Sequence, residues 1–95
     1  VGRSVVAAPD SLGIVICGSG IGISIAANKI NGVRAALCND PLCAKLCRQH
    51  NNANVLCMGA RVIGPELAFR IADTFLDSKF SNDERHIRRI SMLED

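Results

Sequence analysis

Five consecutive apolar or small residues, Gly13-Ile14-Val15-Ile16-Cys17, run without polar alternation and stop abruptly at Gly18-Ser19-Gly20-Ile21-Gly22. A short run of β-branched residues with no polar face predicts a strand buried on both sides, which belongs to a parallel sheet covered by helices. A helical stretch follows from about Ile21 to Lys29, and Asn31-Gly32 closes it as cap and turn. Strand, glycine-rich turn and helix in this order constrain the fold more tightly than any other part of the chain.

The rest of the sequence repeats the alternation. Val33–Cys38 reads as a second strand, and Asn39-Asp40-Pro41 as an N-cap with proline in the first turn of a helix that runs to about His50. Asn51-Asn52-Ala53-Asn54 breaks that helix, and Val55–Met58 is the third strand. Arg61–Gly64 is a loop, and Pro65 opens a helix in which Leu67, Ala68, Ile71, Ala72, Phe75 and Leu76 form one apolar stripe. Ser81-Asn82 reads as a cap before a last helix from about Asp83 to Leu93, with Ile87, Ile90 and Leu93 as its apolar face. Residues 1–8 look like the end of a helix, and Pro9-Asp10-Ser11 like a loop. The order helix–β–α–β–α–β–α–α predicts an α/β, doubly wound, Rossmann-like parallel sheet with flanking helices in a single domain over residues 1–95. Three strands make a small sheet and the chain starts at Val1, so the expected domain is incomplete at the N-terminus, the latter part of something larger.

Composition narrows the partners. Eleven Lys and Arg against nine Asp and Glu give a net charge of +2, too weak for a nucleic-acid surface. The absence of Trp and Tyr removes the stacking platforms of a single-strand binder. No apolar run reaches the ~18 residues of a membrane span, and no secretory leader is recognisable. The five cysteines are odd in number, and a chain with 48% hydrophobic residues does not need a disulfide framework. The gaps between Cys38, Cys43 and Cys47 match neither zinc pairs nor iron–sulfur runs, so no metal site is expected. Free cysteines acting as small hydrophobes suit a reducing cytoplasm.

The Cys17–Gly22 loop lies where ligands of α/β sheets bind, at the carboxyl ends of the strands. Its glycines bare the backbone amides, and the following helix adds its N-terminal positive charge, so the loop suits an anion, either a phosphate or an oxyanion formed in a transition state. A dinucleotide fingerprint is a rival reading: Gly18-x-Gly20 and a downstream Asp40 fit it, but Ile23 occupies the place of its last glycine. A purely structural turn is a third. Cys17 sits at a strand end before bared amides, a place that activates a thiol and opens it to a ligand, although a strand-end cysteine is commonly just buried. His50 ends a helix, where it serves as a C-terminal cation or as a catalyst. Arg85 and Arg89 are four apart and share a face, either a phosphate grip or a solvated patch balanced by Asp83, Glu84, Glu94 and Asp95.

Together these segments resemble the type B ribose-5-phosphate isomerases. The residues that carry the resemblance are Gly13–Lys29, Gly32–Ala36, Arg48–Asn51, Ala53–Leu56, Gly59–Gly64, Arg85-His86 and Arg89, in order across residues 12–92. The resemblance implies aldose–ketose isomerisation of ribose 5-phosphate and ribulose 5-phosphate with no metal or cofactor. It makes Cys17 the base that moves a proton through a cis-enediolate, and Gly18, Gly20, Ile21 and Gly22 the anion hole. Ser19 stands where the family more often has Thr. His50 matches the residue that helps open the sugar ring, and Asn51 its substrate-contacting neighbour. Arg85 and Arg89 match the phosphate-binding pair, with Arg61 assisting. The family builds its site between two subunits, so a homodimer or a higher homo-oligomer is implied. Its N-terminal strand–helix–strand, with an Asp-His pair, has no counterpart in this chain, and its first strand would lie beside the one ending at Cys17. Isomerases of galactose 6-phosphate or allose 6-phosphate share the superfamily, and a nucleotide-binding module is the alternative from another class.

Overall fold

The computed structural model describes residues 1–8 and 10–94; Pro9 of the first loop and Asp95 of the terminal charge cluster lie outside the described residues. Among the described residues the order is α1 (Gly2–Ala7), β1 (Gly13–Cys17), α2 (Ile21–Asn28), β2 (Ala35–Leu37), α3 (Pro41–Asn51), β3 (Val55–Gly59), α4 (Pro65–Asp77) and α5 (Glu84–Leu93). The three strands are parallel in the order β1-β3-β2, with Gly13 beside Val55, Cys17 beside Gly59 and Ala35 beside Val55. This is the α/β architecture read from the sequence. No helix in it is long and apolar enough to cross a membrane.

The strand buried on both faces is β3, not β1. Every residue of β3 is buried, and because side chains alternate along a strand it feeds two cores. Leu56 and Met58 pack with Ile71, Phe75, Ala44 and Cys47 beneath α3 and α4, while Val55 and Cys57 join Val5, Ala27 and Val33 beneath α1 and α2. By contrast β1 pairs only with β3 among the described residues, and its burial fades toward Cys17. Ile16 is 55% exposed, and an apolar groove of about 430 Å³ runs past Ile14, Ile16, Met58, Ile63 and Phe69. Among the described residues β1 is therefore an apolar sheet edge.

Several element ends differ from the sequence reading for identifiable reasons. β2 is shorter than Val33–Cys38 because the Arg34 amide donates to Asn54 Oδ1 at 2.7 Å instead of joining the ladder. Asp40 does cap α3, accepting from the Cys43 amide at 2.7 Å, and Asn52 ends that helix in the left-handed region with φ 48°. The cap of α5 is Asp83, which accepts from the Arg85 amide, and not Ser81-Asn82. Leu76 is exposed, so the α4 stripe is carried by Ile71 and Phe75. Ile87 and Leu93 are exposed as well, and α5 turns His86 inward instead.

Candidate active site

The carboxyl end of the sheet is built by backbone fit. Gly20 caps α2 with φ 81°, a left-handed conformation that glycine adopts without a Cβ penalty. A Cβ there would meet Leu37 Cδ1 at 2.6 Å and the Met58 carbonyl carbon at 3.0 Å, so the loop lies directly on the end of β3. Gly59 is tighter still, since a Cβ would fall 2.4 Å from the Ser19 carbonyl oxygen. Two further bonds lock the loop: the Ala60 amide donates to the Cys17 carbonyl at 2.6 Å and the Arg61 amide to the Gly18 carbonyl at 2.9 Å.

This packing leaves Cys17, Gly18 and Ser19 exposed at the head of the loop. The Ser19 hydroxyl accepts from the Ile21 amide at 3.2 Å, while the next amides of the first turn of α2 have no helical carbonyl behind them. Gly22 is exposed, and nothing lies within 4 Å of a Cβ placed on it. The side chain of Arg61 lies against Gly18, its Nε 3.6 Å from where a Cβ would be, and brings a guanidinium to the same end. A thiol, a hydroxyl, bared amides and a cation thus meet at one edge, a constellation suited to a developing oxyanion. The dinucleotide reading loses its acidic residue, because Asp40 is committed to capping α3 and to the Cys43 thiol, 3.4 Å from its Oδ2. That contact and the carboxylate's charge push the Cys43 thiol up, and burial does the same to Cys57. No group of three or more His, Cys, Asp or Glu side chains gathers as a metal would require among the described residues.

The remaining predicted residues sit at the opposite end. α3 crosses from the carboxyl end of β2 to the amino end of β3, so His50 and Asn51, in its last turn, lie below the sheet. Five residues of β1 and β3 separate the two ends by roughly 13 Å at 3.3 Å per residue. Arg48 anchors that last turn, donating to Ala53 O at 2.8 Å and Asn52 Oδ1 at 2.9 Å with its guanidinium 5.8 Å from the Phe75 ring centre. Asn51 borders an open cleft of about 560 Å³ shared with Arg34 and Glu94, which form an ion pair. His50 is exposed on one side and stacked on the other against His86 of α5, with ring centroids 4.3 Å apart. Arg85 and Arg89 are exposed on α5, and Arg85 Nε lies 3.7 Å from Asp83 Oδ2. The structure therefore gathers Cys17, Ser19, Gly18, Gly20, Ile21, Gly22 and Arg61 at one end and places His50, Asn51, Arg85 and Arg89 around α3 and α5. From sequence Ser81 reads only as part of a cap and His86 only as part of the family resemblance; neither is given a role at the site.

A sequence profile described as Ribose/Galactose Isomerase matches residues 1–93. The chain belongs to the ribose/galactose isomerase family. It is 51% identical over 81 residues to ribose-5-phosphate isomerase B of Escherichia coli (strain K12), covering 85% of this chain and 54% of that protein. It is 56% identical over 68 residues to D-erythrulose-4-phosphate isomerase of Pectobacterium atrosepticum, covering 72% of this chain and 45% of that one. The solved type B ribose 5-phosphate isomerase of Trypanosoma brucei superposes with a TM-score of 0.96 at 48% identity, covering 99% of this chain and 63% of its own. The chain thus spans less than two thirds of the length of each of these relatives.

Proposed function

We propose that this chain forms part of an aldose–ketose isomerase that interconverts ribose 5-phosphate and ribulose 5-phosphate without metal or cofactor, its site assembled from two copies. The observation that carries this reading is the exposed Cys17 thiol at the head of a glycine loop whose amides and Arg61 face one open edge. In the reading, Cys17 takes the C2 proton of the open-chain aldose and returns it to C1, while the O2 proton passes to O1. Between the two transfers the substrate is an enediolate, and the amides from Gly18 to Gly22 receive its negative oxygen. The Ser19 hydroxyl is a hydrogen-bond partner for the adjacent sugar oxygens.

A single copy cannot complete the site, because His50, Asn51, Arg85 and Arg89 lie at the far end of the sheet. A second copy that offers its α3 and α5 ends to the glycine loop of the first supplies the ring-opening histidine and two guanidinium groups for the phosphate. The test is isomerisation of ribose 5-phosphate by the purified chain in the presence of EDTA. Cys17→Ala is expected to lower turnover about a thousandfold while ribose 5-phosphate still binds in calorimetry. Substantial turnover without the thiol would remove Cys17 from the role of base, and inactivity in both directions that persists when the family's N-terminal strand–helix–strand is joined to the folded chain would overturn the reading.

A further inference from the structure

His86 is the buried polar side chain among the described residues, 6% exposed, and the proposed phosphate grip of its neighbours Arg85 and Arg89 leaves it without a task. Its Nδ1 lies 2.8 Å from the Ser81 hydroxyl. Its ring lies on His50 with 29° between the planes. Ser81 in turn donates its amide to the carbonyl of Gln49, the residue before His50, at 3.0 Å. The contacts close a circuit from α3 through Ser81 to α5 and back to the His50 ring. Because the Ser81 hydroxyl accepts from the Asp83 amide at 3.2 Å, its hydrogen is free to donate to Nδ1 of a neutral His86.

We propose that His86 is a positioning residue for His50: pinned by Ser81, it fixes the plane of the His50 ring. An exposed imidazole at a helix end otherwise turns freely about its second side-chain torsion, and ring opening needs its nitrogen aimed at a sugar oxygen. The groups facing His86 are His50 on α3 and Asp83, Arg85 and Arg89 on α5. Burial, then His50 and Arg85, hold His86 below the usual 6.5, with Asp83 opposing and Arg89 adding to the depression. His86 is accordingly neutral at pH 7.

The consequence for turnover rests on the isomerase reading; the geometry does not. Ribose 5-phosphate closes to a five-membered ring that must be opened, whereas erythrose 4-phosphate has no free hydroxyl to close one. Ser81→Ala and His86→Phe are expected to lower kcat for ribose 5-phosphate about tenfold with KM little changed, and to shift erythrose 4-phosphate turnover less than about twofold. Ser81→Thr, which keeps the hydroxyl, should restore the parent ratio. In the free protein, the ring nitrogen resonances of His50 should move in both impaired variants and return in Ser81→Thr. Unmoved His50 resonances, or equal losses on both sugars, would overturn the proposal. If the parent turns over neither sugar, the ring spectra alone decide the coupling between His86 and His50.

Discussion

The two ends of the sheet are held by different physics. At the carboxyl end, position is set by backbone against backbone: Ser19 lies on Gly59, Gly20 on Met58, and two amides tie Ala60 and Arg61 to the loop. At the amino end, position is set by side chains: Arg48 clasps the end of α3, Ser81 holds His86, and His86 covers His50. The first end leaves a thiol and amides exposed; the second leaves the His50 imidazole and two guanidinium groups exposed, with His86 buried behind them. The two-copy site proposed above joins these two halves, one held by backbone fit and one by side chains, across a symmetric interface.

The largest effect that tests this contrast is subunit complementation. Cys17→Ala and His50→Ala are each expected to lose turnover by at least about a hundredfold. Mixed at equal amounts and allowed to exchange subunits, they should recover about a quarter of the parent rate, since half of the dimers are mixed and each has one site with both groups intact. No recovery after verified exchange would mean that the two ends do not meet across an interface, and the contrast would lose its functional meaning.

A pair of glycine substitutions sharpens the account of the rigid end. Gly59→Ala drives a methyl into the Ser19 backbone, which cannot swing aside, and should cost about 3 kcal/mol together with most of the activity. Gly22→Ala meets nothing within 4 Å and sits inside α2, so it should leave stability equal or higher by up to about 1 kcal/mol while lowering turnover by crowding the cradle. Urea midpoints and steady-state rates separate the two. Equal destabilisation would reduce the loop to a packed turn with no room kept for a ligand.

The parallel α/β layout was legible because strand runs and helix caps are local signals: Asp40-Pro41 starts α3 and Asn52 ends it as read. Which strand is central was not legible, because Gly13–Cys17 and Val55–Gly59 are equally apolar and only pairing distinguishes the edge from the middle. The glycine loop could be read as an anion cradle from spacing, whereas the distance between Cys17 and His50 depends on helix direction across the sheet. The inward turn of His86 escaped a reading that sought apolar residues on the buried face, because a ring stacked on His50 and bonded to Ser81 satisfies burial without being apolar.

The smallest effect concerns the amino end alone and is a pH effect. His86 is held below 6.5 in the folded chain, so in the interval beneath 6.5 the unfolded chain binds more protons than the folded one. Stability therefore rises with pH through that interval, is complete above 6.5, and is lost as pH falls through the lower folded value. Thermal midpoints taken from about pH 7.5 to about pH 5 should decline on the acid side, and His86→Phe should flatten the decline. Gly22→Ala, which touches only the carboxyl end, should decline in parallel with the parent. If His86→Phe also ran parallel to the parent, the loss would belong to other groups, and the amino end would owe its stability to packing rather than to a neutral imidazole.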